Sequence, residues 1–259
     1  DYGRRPLAGR AVLVVGGTGG LGVATAALLI SEGAYPVLVF RENRARAELV
    51  QQKLQDEWGG PAGLLQADIR EEAGRRRCVE YVSGMPTPFA GLAVFAGDPA
   101  RARTDELQSA AFGEAVDRNT VAPLLLARDV AVALRDRKQR GAVVLVSSMQ
   151  GTYPFEGSLA YGTAKAALIH GARILAKEFG GSTGIPVNVV APGVTSSGMA
   201  RASIESGKYD PVVDRGVVAR FGKPEDVARA VRLFLDPDGY MTGQVLVVDG
   251  GLTLRRDLA

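Results

Sequence analysis

Cysteine is nearly absent from this 259-residue chain. Cys78 stands alone, which excludes an intrachain disulfide and suits a reducing, cytoplasmic compartment. Histidine is equally scarce, with His170 the sole example, and we read it as structural. An excess of one charge sign is also missing. The 31 Lys and Arg face 28 Asp and Glu, leaving a net charge of +3 spread along the chain. Nothing forms the basic stripe that nucleic acid requires. Arg75, Arg76 and Arg77 make one short basic run, expected to be a solvated helix face. No apolar run reaches the roughly 18 residues needed to span a bilayer. In "DYGRRPLAGRAVLVV" positive charges precede apolar residues, but the apolar run is too short for a signal peptide and glycines interrupt it. Neither nucleic acid nor membrane is expected as a partner, and no metal site is expected.

What the chain does have is apolar material, 46% of its residues, arranged in two lengths. Short runs that suit strands fall at 11–15, 36–40, 63–67, 92–96, 142–147, 186–191 and 245–248. Helical patterns occupy 20–32, 44–58, 71–83, 104–137, 159–179 and 224–235. Buried parallel strands read as continuous apolar runs, and their alternation with helices argues for a doubly wound α/β fold. The expected architecture is therefore a single Rossmann-type domain over 1–259, with a seven-stranded parallel sheet and helices on both faces. The pattern 104–137 is long for one helix, and Pro123 marks a joint or bend within it. The stretch 195–218 has no clear period. It follows the C-terminal end of a strand, where such sheets bind ligands, and we read it as a substrate loop.

The segment "VLVVGGTGGLGVATAALLI", residues 12–30, holds five glycines in seven positions. A strand leads in and a helix leads out, so the turn can bring backbone close to a pyrophosphate at the helix N-terminus. Three fingerprints fit at once: Gly17, Gly19 and Gly22; Gly16, Gly19 and Gly22; or Gly16, Gly20 and Gly22. The turn by itself does not choose among them.

Further along, "LAYGTAKAALIHGA" places Tyr161 and Lys165 at i and i+4, on one face of a helix. An ammonium beside a phenol favours the phenolate and is expected to lower the tyrosine pKa towards neutrality. Such a tyrosine can exchange a proton with a carbonyl or an alcohol. Thirteen residues before it, Ser148 ends the strand-like run "GAVVLVSS", where a hydroxyl can hydrogen-bond a substrate oxygen.

Together these motifs resemble the short-chain dehydrogenase/reductase family, in its short single-domain branch, over nearly the whole chain. Its glycine spacing selects Gly16, Gly20 and Gly22, with Val15 in place of the usual threonine. "VDRNTVAPLLLA" carries the family's helix asparagine at Asn119, and "NVVAPGV" and "RFGKPEDVARAVRLFLDPDGYMTGQVLVVDGG" match later segments. The resemblance implies that Tyr161 is the general acid or base, that Lys165 lowers its pKa and bonds the nicotinamide ribose, and that Ser148 polarises the substrate. It implies that Asn119 holds a water linking Lys165 to solvent. For the cofactor it implies Gly16, Thr18, Gly19, Gly20, Leu21 and Gly22 at the pyrophosphate, with Asp68 and Ile69 flanking the adenine. Ala96 and Gly97 lie by the ribose; Pro192, Gly193, Val194, Thr195 and Ser197 line the nicotinamide. Val94 and Phe95 replace the family's two asparagines, which removes side-chain bonds to the cofactor.

NADP(H) is expected in preference to NAD(H), which stays the alternative. NAD-preferring relatives carry a carboxylate at the end of the second strand, whereas here "YPVLVFREN" puts Phe40 there and Arg41 next, with Arg44 and Arg46 beyond. Glu42 is the neighbour that could interfere. The substrate is expected to be a small carbonyl compound or alcohol, with 3-oxoacyl thioesters as one subtype. Its pocket would draw on Met149, Gln150, Pro154, Phe155 and the 195–218 loop. A homo-oligomer, a tetramer or else a dimer, is expected from the family and from the strongly apolar "VAPLLLARDVAVAL". The competing reading is a non-catalytic nucleotide sensor or scaffold on the same fold. An epimerase or dehydratase of the family's extended branch would need a longer chain.

Overall fold

A computed structural model describes residues 5–95, 97–99, 103–198 and 204–255. Among the described residues there are seven strands: β1 (Ala11–Val15), β2 (Tyr35–Phe40), β3 (Gly63–Gln66), β4 (Phe89–Val94), β5 (Ala142–Val146), β6 (Val187–Pro192) and β7 (Val245–Val248). They form one parallel sheet in the order β3-β2-β1-β4-β5-β6-β7. The helices are α1 (Gly20–Ser31), α2 (Arg44–Trp58), α3 (Glu72–Gly84), α4 (Ser109–Val116), α5 (Ala122–Asp136), α6 (Leu159–Phe179), α7 (Asp210–Asp214) and α8 (Pro224–Phe234).

Strand alternation builds two cores from one run of residues. Ala11, Leu13 and Val15 of β1 join the core beneath α3, α5 and α6. Val12 and Val14 join the opposite core beneath α1, α2 and α8. Both faces of the sheet are therefore buried, which is why its strands read as unbroken apolar runs. Because the chain order reverses between β1 and β4, the loops after those two strands diverge and leave a crevice at the sheet's C-terminal edge.

The long pattern 104–137 is not one helix. It comprises a 3₁₀ turn (Thr104–Glu106), α4, a π-helical turn (Asp117–Val121) and α5. Pro123 has no N–H to give the carbonyl four residues back, Asn119, so the helix cannot keep its α register there. Strand β4 also begins earlier than expected, at Phe89, because Ala11 N–H bonds the Pro88 carbonyl and draws that segment into the sheet. Arg75 departs from its neighbours in the basic run. Arg76 is exposed, whereas Arg75 keeps only 7% of its surface.

The 195–218 stretch, described here except for 199–203, is tied down at both ends. Thr195 bridges to Gly222, and Val217 and Val218 are buried against Met149 and Leu252.

Candidate active site

A cleft of about 740 Å³ opens along the C-terminal ends of β1, β4, β5 and β6. At one end lies the glycine turn. Gly16 has φ +75°, a conformation that side chains resist. A Cβ on Gly22 would sit 2.5 Å from the Gly16 carbonyl, so α1 can start only this close to the turn if that residue is glycine. Gly17 packs away from the cleft, against Leu38 of β2. Gly20 faces it, and a Cβ there would collide with the Ser197 hydroxyl. Gly16 and Gly22 thus shape the turn and Gly17 packs behind it, while Gly16, Gly19, Gly20 and Gly22 all line the cleft. Gly19 caps α1 without any side-chain bond, and the first turn holds no acidic residue. The helix N-terminus is left with free donors and its positive dipole end facing the cavity, which suits a pyrophosphate.

At the other end Ser148, Tyr161 and Lys165 come together on the cleft wall. Ser148 follows β5 and shares the cleft wall with Tyr161, and its Oγ accepts the Gln150 N–H at 3.2 Å. The hydroxyl is thus both a cap and a site group. Lys165 lies 5.7 Å from the Tyr161 ring centroid and donates to the Val146 carbonyl at 3.1 Å.

Several residues that sequence reasoning passed over fix this arrangement. Ser147 Oγ donates to the Lys165 carbonyl at 2.9 Å, and Thr120 Oγ1 donates to the Ala164 carbonyl at 2.7 Å. Gly151 admits the Lys165 carbonyl, since a Cβ would lie 2.8 Å from it. These bonds hold α6 against β5 and the π-turn, so the lysine and tyrosine have one position. The signal was present in "SSMQG", but only contact with α6 gives those residues meaning.

The titration differs from the expectation. Burial pushes the Tyr161 phenol up to about 12, partly offset by the nearby Ser148 hydroxyl. Burial likewise draws Lys165 down to about 8. The dry wall opposes charge on both groups, and the lysine does not overcome it in the free protein. Tyr161 therefore rests as a protonated phenol, a donor.

Asn119 is fully buried, and its side chain is already engaged. Nδ2 donates to the Asp98 and Ala115 carbonyls, both at 3.0 Å, and Oδ1 accepts the Asp98 N–H at 3.1 Å. It anchors the loop after β4. Gly97 keeps this contact open, since a Cβ there would fall 2.7 Å from Asn119 Oδ1 and 3.1 Å from Lys165 Nζ. Ala96 lies outside the described residues.

Thr18, Leu21, Gly97, Pro192, Gly193, Val194, Thr195 and Ser197 line the cleft. Arg41, Asp68 and Ile69 do not form its wall. Arg41 Nε pairs with Glu42 at 2.7 Å, Asp68 pairs with Arg70 at 2.5 Å, and Ile69 is buried in the core. The Arg70 guanidinium also holds the Asp68 carboxyl below its usual range. On the substrate side Phe95, Met149 and Gln150 line the cavity with Lys208 and Tyr209. Phe155 instead packs against the buried cluster of Met149, Val217, Val218 and Leu252, and Pro154 is exposed. His170 is an exposed residue of α6.

The family model for short chain dehydrogenases matches residues 10–207. The chain belongs to the short chain dehydrogenase family. Curated relatives cover this dehydrogenase almost end to end. It is 31% identical over 256 residues to a glucose 1-dehydrogenase of Gluconobacter oxydans, spanning 96% of this chain and 94% of that one. It is 29% identical over 254 residues to the 3-oxoacyl-[acyl-carrier-protein] reductase of Thermotoga maritima, spanning 96% and 99%. Among solved structures, an actinorhodin polyketide ketoreductase with NADPH aligns with a TM-score of 0.86 at 25% identity, over 94% of this chain and 97% of that one. This dehydrogenase is thus an oxidoreductase with a Rossmann-like fold. Among the described residues, no helix is long and apolar enough to cross a membrane.

Proposed function

We propose that this dehydrogenase transfers a hydride between a nicotinamide cofactor and a ketone or secondary alcohol, with NADP(H) preferred and Tyr161 as general acid or base. The observation that carries the reading is the grouping of Ser148 and Tyr161 with a buried Lys165, whose Nζ lies 5.7 Å from the Tyr161 ring centroid, on the wall of a cleft whose far end is an uncapped helix N-terminus. The bound nicotinamide supplies the hydride. Gly19 and Gly20 present backbone donors to its pyrophosphate, and Pro192, Gly193 and Val194 give the nicotinamide a wall. Ser148 orients the substrate oxygen, and Tyr161, protonated at rest, gives that oxygen its proton in the reducing direction. Lys165 supplies positive charge beneath the phenol and donors towards the ribose. Asn119 acts through its main chain, since Pro123 leaves its carbonyl without the usual α-helical donor.

Intact Ser148, Tyr161 and Lys165 speak against a mere nucleotide sensor, which has no use for a proton donor in that position. The relatives' names point to unlike substrates, so the class is set by the walls, Phe95, Met149, Gln150 and Tyr209. A 3-oxoacyl thioester is one carbonyl substrate of this kind. The test is NADPH oxidation against a panel of ketones, 3-oxoacyl thioesters and sugar lactones. Turnover of one group is expected; NADPH binding with no turnover anywhere would favour the sensor.

We place the protein in the cytoplasm as a homo-oligomer, a tetramer or else a dimer. Most of "VAPLLLARDVAVAL" is core, but Val121, Leu159 and Ile174 remain 41–48% exposed. Light scattering at micromolar concentration should give a multiple of 27.2 kDa, and a monomer would refute the assembly.

A further inference from the structure

Arg75 is a buried cation with three separate bonds, far from the reacting groups. Its Nη1 donates to the Ile69 and Arg70 carbonyls, both at 3.0 Å. Its Nε reaches Asp129 of α5 at 3.3 Å. The first turn of α3 is pressed onto the same loop, because a Cβ on Gly74 would lie 1.9 Å from the Asp68 carbonyl. Arg77 adds a bond from its Nη1 to the Gln66 carbonyl at 2.9 Å. The turn after β3 is therefore held from beneath by α3, and α3 is tied through Arg75 to α5.

Burying a guanidinium is costly unless it is paired and hydrogen-bonded. Core packing alone would be served by an apolar side chain. The position instead carries the residue whose planar fork can satisfy two carbonyls and an anion together. What those bonds fix is the path of residues 68–70. With the pyrophosphate at the glycine turn after β1 and the nicotinamide towards Tyr161, the other half of the dinucleotide must extend over the ends of β2 and β3. Those ends are Arg41 and the 68–70 turn.

We infer that Arg75, anchored by Asp129, is a positioning residue that sets the 68–70 turn to receive the adenine half of the cofactor. The inference rests on the dinucleotide reading of the cleft. It touches no reacting atom, so it separates from the chemistry in a binding measurement.

The test uses NADPH and 2′-phospho-ADP-ribose, which lacks the nicotinamide, as titrants of the full chain, with urea unfolding alongside. Arg75→Met should weaken both ligands by about tenfold, as loss of two buried hydrogen bonds would. At saturating NADPH its kcat should stay within about twofold of wild type. Arg75→Lys should recover part of the affinity, and Asp129→Asn should weaken both ligands by a few fold without removing the guanidinium. If Arg75→Met does not fold, Asp129→Asn decides. Folded variants with lowered stability but unchanged affinity for both ligands would overturn the inference and make Arg75 purely structural. So would a loss in kcat with affinity intact. Wild-type protein that binds neither NADPH nor NADH would overturn the reading of the cleft itself, and with it this inference.

Discussion

At the β5 end of the cleft, Lys165 is 2% exposed, and the Ser147 and Thr120 hydroxyls fix its helix by donating to the Lys165 and Ala164 carbonyls. At the β2–β3 end, the Arg41 side chain is 45% exposed and is already paired with Glu42, itself 73% exposed. The first end is dry and has one arrangement. The second is wet, and its charges satisfy one another until a ligand competes. Chemistry that needs a proton held at one atom belongs in the first environment. Selection between two nucleotides that differ by one phosphate can be done in the second, where a few kcal/mol suffice.

The contrast breaks most sharply at Tyr161. Tyr161→Phe keeps the ring and removes the only proton that the phenol contributes. We expect kcat to fall by about 10²–10⁴-fold, the usual worth of a positioned acid, while the NADPH dissociation constant stays within about twofold. Stopped-flow turnover with fluorescence titration measures both. Near wild-type turnover would remove the catalytic assignment.

This contrast also governs how much the sequence revealed. Tyr161 and Lys165 are legible because i and i+4 share a helix face wherever the helix lies. The sheet is legible because both of its faces are buried, which leaves only apolar residues in the strands. Arg75 was misread because a run of three arginines looks solvated, and only α5 coming within reach supplies Asp129. The phenol's upward shift was missed because spacing shows that a lysine is near but not how dry the wall is. The break at Asp117–Val121 was half legible: Pro123 marks a joint, but the π register depends on what the next turn can bond.

Removing the charge from the dry end should give the next largest effect. Burial lowers Lys165 from 10.5 to about 8, so below pH 8 the folded protein bears a cation it would shed more readily than the unfolded chain does. The unfolded chain binds more protons between those values, and stability therefore rises with pH from about 8 to 10.5. Tyr161 acts oppositely only above 10, where its raised pKa makes folding weaken as pH climbs towards 12. Lys165→Met should be inactive yet more stable at pH 7, by up to roughly 3 kcal/mol. The gap to wild type should narrow as pH rises to 9.5. A variant less stable than wild type at pH 7 would show that the cation is well compensated.

At the wet end, Arg41→Ala probes the selector. Wild type should favour NADPH over NADH in kcat/KM. The variant should lose about 1.5–3 kcal/mol of that preference, the worth of a charge-assisted bond. An unchanged ratio, or a wild type that prefers NADH, would show that Arg41 does not choose the cofactor.

The smallest effect is expected at Glu42, and it tests the idea that the wet end is self-neutralised. Glu42 now holds the Arg41 guanidinium at 2.7 Å. A 2′-phosphate would have to compete with that carboxylate for the same donors and would also be repelled by it. The opposing pair is exposed, so screening limits its strength to about 0–1 kcal/mol. Glu42→Gln keeps the side chain's length and hydrogen-bonding oxygen but removes the charge. It should raise the NADPH-to-NADH preference by no more than about fivefold, and less at high salt. In Arg41→Ala the same substitution should lose most of this effect, because the competition has lost its object. A fall in NADPH preference would mean that Glu42 orients Arg41 for the phosphate instead of withholding it. The wet end would then be preorganised like the dry one.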